Sequence, residues 1–356
     1  MGMESRGGIA EGSRVWLPDG SVREIEEVVA RRLSVLSFNK KWDTRPVRYG
    51  ANQGPRDHSV GELIPVTPDA WRDSATREVR RIGFVSGRKI EAALDQRWVT
   101  QRRMGRQAWE WKRTDALVPG DRVPFSLAAS YFGTEGLGRE GYFVGAMLGD
   151  GGMTSCTPEF HGDPLGGAVQ FMREFAIVHG CGVLEIPQGE IVRLRFPFRL
   201  GQRNPLTECL RRFKVWGQRC DEKRLPDVPL SRDFWVGCLS GLIDTDGCVR
   251  ERVNSRGTLH GSVEFATVSP VLATQVSDGL LRLGIANRVR VDQRRQRGPF
   301  DQWLRSREST TDPYRGGFTG NRARPSRGHP RSPYRVQGIQ VEATCACSGA
   351  CCSSVQ

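Results

Sequence analysis

The ten residues LSGLIDTDGC at 239–248 have a near copy, FVGAMLGDGG, at 143–152. Small residues recur every four positions through both: Gly141, Gly145 and Gly149 in the first, Gly237, Gly241 and Thr245 in the second. A step of four residues turns a helix by only about 40°. Each set therefore forms a stripe on which a second backbone can lie closely. Glycine inside a helix costs about 1 kcal/mol against alanine, so three in one helix need an offsetting contact, and the two stripes offer it to each other. The repeat predicts helices over 141–151 and 237–247, packed in parallel. Asp150 and Asp246, 96 positions apart, would then meet at one end, across a pseudo-twofold axis.

Two carboxylates brought together repel unless divalent cations lie between them. Magnesium shared by both acids would relieve the repulsion and activate water against a phosphodiester. The plain alternative is that each Asp-Gly begins a turn. One copy leaves that alternative open, and the second copy with its matching stripe weighs against it.

Outward from the two copies, the order of elements repeats. Helical stretches such as PLGGAVQFMREFAIVHG and PVLATQVSDGLLRLG alternate with short strands. Arg193 and Arg195 alternate with Val192, Leu194 and Phe196, and Arg288 and Arg290 alternate with Val289 and Val291. Arg250 and Arg252 continue the pattern. Such strands put arginines on one face, toward phosphates or base edges, and apolar residues on the other. A polar outer face on any half-exposed strand would look the same.

The whole chain has 356 residues and a net charge of +13, room for two or three domains and a balance that suits a polyanion. Residues 1–128 read as an all-β module of short strands (SRVWLP, SVREIEEVV, LSVLSF, GRKIEAAL). Residues 138–293 hold the repeat, giving an α+β chain. Residues 294–356 carry eleven arginines and four acids without periodicity, and read as a disordered basic tail. That composition also suits an out-of-frame reading of GC-rich DNA, so the second half of the repeat is expected to be truncated near 293. Ten cysteines, six of them scattered singly and none behind a secretory signal, suggest reduced thiols in a cytoplasmic protein. No apolar run has the length of a membrane span.

LSGLIDTDG resembles the LAGLIDADG motif, with Ser240 and Thr245 in place of two alanines, and FVGAMLGDG is a looser copy. The chain therefore resembles the LAGLIDADG (dodecapeptide, DOD-type) homing endonucleases carried by inteins. The resemblance implies a single-chain pseudo-dimer of two αββαββα repeats, working as a monomer, whose sheets form a saddle in the major groove of double-stranded DNA. It implies Mg2+-dependent hydrolysis at Asp150 and Asp246, which fall at the metal-binding eighth position of the motif. Leu148 stands where the second copy has Asp244, so the sixth position reads as structural. Glu222-Lys223-Arg224-Leu225-Pro226 resembles the lysine-proline block of intein endonucleases, which makes Lys223 the third catalytic candidate. A solvated surface lysine is the alternative.

The N-terminal module resembles the Hint fold of inteins through AEGSRV at 10–15, SGRKI at 86–90 and LVPGDRV at 117–123. Its splicing positions do not match. Gly8 stands where a Cys, Ser or Thr nucleophile is needed, and Ala93 and Gln96 stand where a Thr and a His should polarise the scissile bond. Splicing is expected to be lost. Two rivals follow: a non-catalytic DNA-binding remnant, and a self-processing Hint protein, which those three residues argue against.

Overall fold

In the N-terminal third, turn chemistry sets the short strands apart. The computed structural model describes residues 7–38, 63–71, 77–101, 109–124, 131–253, 259–291, 339–344 and 352–354. Strands β1 (Arg14–Trp16) and β2 (Val22–Glu24) pair across a turn. The Asp19 carboxylate closes that turn by accepting from the Ser21 amide at 2.8 Å and hydroxyl at 2.7 Å. Helix α1 (Ile25–Arg31) follows at once, so this module is not all-β as expected. Glu26 and Glu27 stand at the helix start, Glu27 pairs with Arg31 at 2.7 Å, and Val28 is buried. Charge placement at helical spacing outweighs the β-branched content of the segment.

Strands β3 (Val35–Phe38) and β4 (Leu63–Val66) pair with each other, as do β5 (Val79–Gly83) and β6 (Lys89–Ala93). Strand β7 (Arg97–Gln101) pairs with β8 (Trp109–Arg113) and β9 (Arg122–Pro124). The module's core is small: Ile82, Phe84, Ala92 and Val123, flanked by Ile90, Trp98 and Leu117.

The next segment runs α2 (Gly138–Asp150), β10 (Gly151–Gly152), β11 (Glu159–Gly162), α3 (Gly167–Val178), β12 (Leu184–Gln188), β13 (Ile191–Arg195) and α4 (Pro205–Arg212). A second passes through α5 (Arg232–Asp246), β14 (Gly247–Val253), β15 (Leu259–Thr267), α6 (Pro270–Arg282), β16 (Asn287–Val291) and β17 (Ile339–Thr344). The two four-stranded sheets have the same order, β10-β11-β13-β12 and β14-β15-β17-β16. Their registers also agree: Gly151 opposes Phe160 and Gly247 opposes Phe265. Phe160 and Phe265 thus take equivalent places, both buried against the helices.

Helix α4 starts at Asn204, whose side-chain Oδ1 accepts from the Leu206 and Thr207 amides while its Nδ2 donates to Phe196 O at 2.7 Å. The Asn204→Ala chain should lose about 1 kcal/mol of stability, read from the urea midpoint.

The tail expectation needs correcting. Ile339–Thr344 forms β17, inserted between β15 and β16, and Cys352–Ser354 forms a further strand, β18, paired with β9. Alternating residues in Ile339-Gln340-Val341-Glu342-Ala343-Thr344 suit a strand. The backbone partners that make it one lie more than seventy residues away on β15. The rest of 294–356 is outside the described residues. Among the described residues no helix is long and apolar enough to cross a membrane.

Candidate active site

The two glycine-striped helices lie in contact along their length. A methyl group on Gly141 would strike the Phe234 carbonyl, one on Gly145 the Cys238 carbonyl, and one on Gly149 the Thr245 hydroxyl. From the other side, Gly237 faces Gly138 O and Gly241 faces Tyr142 O. Contacts climb both helices in the same direction, so α2 and α5 are parallel and end together. Thr245 is accommodated because its hydroxyl turns back to Gly241 O at 2.9 Å.

Each helix stops at its acid because the chain passes straight into a strand. Gly151 and Gly247 have extended φ values of −87° and −92°, so neither Asp-Gly pair forms a left-handed turn. Glycine is required there for space. A side chain would collide with Met147 O at Gly151 and with Ile243 O at Gly247.

Asp246 rests against the last turn of α2: a methyl on Gly149 would lie 3.6 Å from its Oδ2. Burial between the helix ends raises the pKa of Asp246, and the charge on Asp150 raises it further, with Lys223 opposing. Burial likewise raises Asp150, with Lys223 and His161 opposing. Lys223 stands at the same place, its Nζ donating to Gly149 O at 2.6 Å. Burial lowers its pKa, while the charges of Asp246, Asp150 and Cys220 act to keep it protonated. The three residues singled out from the sequence are thus one electrostatic group.

Residues that sequence reasoning missed hold that group in place. Ser269, which caps α6 by accepting from Leu272 N, donates its hydroxyl to Lys223 O at 2.6 Å. Buried Gln275 accepts from Leu225 N at 2.7 Å and donates to Leu225 O at 3.2 Å. Ser269-Pro270 signals a helix start, but nothing local reveals that the cap also anchors the lysine loop. Tyr142 donates to Asp244 Oδ2 at 2.6 Å, tying the two helices together at the sixth motif position, while Leu148 is in the core. Asp150, Asp163, Asp244 and Thr245 line a cleft of 460 Å³ beside the helix ends.

Alternation holds on β13, where Val192 and Leu194 are buried opposite Arg193 and Arg195, but not beside Arg250 and Arg290, where Val249 and Val291 are exposed. The arginines themselves are less available than expected. Arg193 binds Glu159 through two bonds, at 2.9 and 2.7 Å, and Arg195 approaches the same carboxylate at 3.0 Å. Arg193 holds the Glu159 carboxyl below its usual range. Arg250 pairs with Glu264 at 3.2 Å. Arg288 is half-buried and Arg290 exposed on β16. Arg252 pairs through its backbone with His260, and its side chain lies outside the described residues.

Gly8, Ala93 and Gln96, the positions compared with the splicing residues of inteins, lie close together. Gly8 O accepts from the Ala93 amide at 2.9 Å, and the Gln96 side chain lies against Gly7. No hydroxyl, thiol or imidazole belongs to any of these residues.

Asp150 and Asp246 offer oxygen donors alone, which suits a hard divalent cation that keeps waters and takes its remaining ligands from phosphate. Among the described residues no group of three or more His, Cys, Asp or Glu could form a closed metal cage. The donor chemistry fits a shared cation completed by substrate.

Residues 233–312 match the family model of the LAGLIDADG-like domain. Over 293 residues the chain is 27% identical to protein RecA of Mycobacterium tuberculosis, covering 79% of this chain and 33% of RecA. It is 28% identical over 280 residues to the replicative DNA helicase DnaB of Rhodothermus marinus, covering 71% of this chain and 28% of DnaB. The chain thus spans about a third of the length of the curated relatives it matches. Among solved structures it is similar to mesophilic variants of the homing endonuclease I-DmoI, with TM-score 0.32, 12% identity, and 58% and 83% of the two chains covered. It is also similar to the N-terminal LAGLIDADG domain of DUF199/WhiA, with TM-score 0.30, 13% identity, and 45% and 73% covered.

Proposed function

We propose that this chain is a DNA endonuclease of the LAGLIDADG homing type, carried in an intein whose splicing module is inactive. It acts as a monomeric pseudo-dimer, laying its two sheets on double-stranded DNA and hydrolysing one phosphodiester on each strand. The observation that carries this reading is the meeting of Asp150, Asp246 and Lys223 at the common end of two parallel helices.

Asp150 and Asp246 would hold the divalent cation, magnesium in this reading, which supplies Lewis acidity and lowers the pKa of water at the scissile phosphate. The remaining steps belong to the chain. Its close-packed helices fix the two carboxylates where a cation and a phosphate offset their repulsion. Lys223, whose charge burial disfavours and both acids favour, would offer that charge to a phosphate oxygen as negative charge develops there. Ser269 and Gln275 hold its loop, so little reorganisation is needed at the moment of reaction. Hydrolysis adds one water across one phosphorus–oxygen bond: the hydroxide oxygen joins phosphorus, one proton ends on the departing sugar oxygen, and the other is released to solvent.

The intein context is supported by the two curated relatives. One module resembling about a third of each of two differently named proteins is what an inserted element would produce. The meeting of Gly8, Ala93 and Gln96 supports a splicing centre that keeps its geometry without its chemistry.

The test is a plasmid carrying the uninterrupted insertion site, incubated with the purified chain and magnesium. Linear or nicked product is expected. A mobility shift with no cleavage at any magnesium concentration would replace this reading with that of a DNA-binding remnant. Lys223→Met should slow single-turnover cleavage by about a hundredfold or more while DNA affinity changes only a few-fold. Equal losses in both would reduce Lys223 to a phosphate contact.

A further inference from the structure

Helices α3 and α6 occupy equivalent places in the two repeats but are covered differently. On α3 four residues are buried, Val169, Met172, Phe175 and Ala176, while Ile177 and Val178 are exposed. On α6 nine residues are buried, among them the polar Gln275, Ser277 and Arg282. Gln275 faces the Leu225 loop, whereas Ser277, Asp278 and Arg282 are met by the N-terminal module.

The cover is specific. Arg88, on the hairpin between β5 and β6, donates to Ser277 Oγ and to Asn287 Oδ1, the latter at 3.4 Å. Arg282 reaches back to the carbonyls of Gly20 and Ser21 and lies over the Trp16 ring, 5.1 Å from its centre. Arg14 pairs with Asp278 at 3.7 Å. The same hairpin meets the sheet itself: the Val289 amide of β16 donates to Ser86 O at 2.8 Å, and Gly87 lies so close to the Val289 carbonyl that a side chain would collide with it. Strand β18, seven residues beyond β17, is paired to β9 of the module. The first repeat ends instead with α4, which buries Leu206 and Leu210 and is followed by buried Phe213 and Val215. In the second, β17 leads to β18 with no described helix between.

We propose that the N-terminal module is the closing layer of the second repeat: it covers α6, holds the edge of β16 and anchors the chain that supplies β17. A module without splicing residues thereby keeps a positioning function, setting the second sheet and, through Ser269 and Gln275 of α6, the Lys223 loop. Buried polar contacts of this kind stabilise only when both sides are present, because removal of one partner leaves the other desolvated and unpaired.

Residue-resolved amide hydrogen exchange on the full chain tests this without any DNA. Arg88→Ala and the milder Arg14→Ala alter the module alone, and Arg81→Ala, which removes a pair with Glu91 inside the module's own hairpin, is the control. Exchange in α6, β16 and β17 should quicken at least tenfold in the first two, with α3, β12 and β13 unchanged and the control silent. If Arg88→Ala unfolds the chain, Arg14→Ala gives the reading. Unchanged exchange in α6 and β16, or equal quickening in both repeats, would overturn the proposal. Because exchange does not depend on cutting, the endonuclease reading can fail while this one stands.

Discussion

An Asp246→Asn chain should cut neither strand and should melt at or above the temperature of the parent. Loss of one charge aimed at a transition state costs about a hundredfold or more in rate, and the equivalent Asp150→Asn should match it. The stability effect has the opposite sign because of where the carboxylates sit. Burial and the neighbouring acid raise the folded-state pKa of Asp246, so the folded protein holds that proton more tightly than the unfolded chain does. Below the unfolded value both states are protonated and nothing is lost. As pH rises through the raised folded value, the folded state must carry a disfavoured charge and stability falls. Thermal melts from pH 4 to 8 in chelator should therefore slope downward for the parent and less steeply for Asp246→Asn. A variant that melts lower than the parent throughout this range would contradict the placement of the acids.

Gly145→Ala should destabilise, although in an ordinary helix that change gains about 1 kcal/mol. The new methyl meets the Cys238 carbonyl of α5, backbone against which no side chain can yield. Overpacking costs about 1–3 kcal/mol, and Gly145→Val should reach the upper end or exceed it. Separating the helices also separates Asp150 from Asp246, so cleavage should fall faster than the folded fraction. Gly241→Ala, facing Tyr142 O, should behave alike. Urea unfolding with parallel cleavage assays reads both effects. A stabilised Gly145→Ala chain would mean the stripes do not touch in solution.

The two predictions differ in origin. Asp246 and Gly145 were both legible in the residues alone, because a period of four and a terminal acid are properties of one helix. Their energetic signs come from what each meets across the interface, and that had to be seen in three dimensions.

The same division runs through the molecule. The repeated motif, its paired small residues, the two acids and the alternation of the Arg193 strand follow from periodicity within a few residues of chain, where local geometry and local sequence coincide. Tertiary structure decided everything that depends on a distant partner. Glu159 takes up Arg193 and Arg195; Gly149 receives Lys223. Ile339–Thr344 becomes a strand because β15 and β16 present unpaired backbone to it, and α6 is covered by a module some 190 residues earlier in the chain (Arg88 to Ser277). Hydrogen bonds and ion pairs of that range leave no periodic trace, since each is fixed by the position of the fold around it and not by the spacing of residues along the chain.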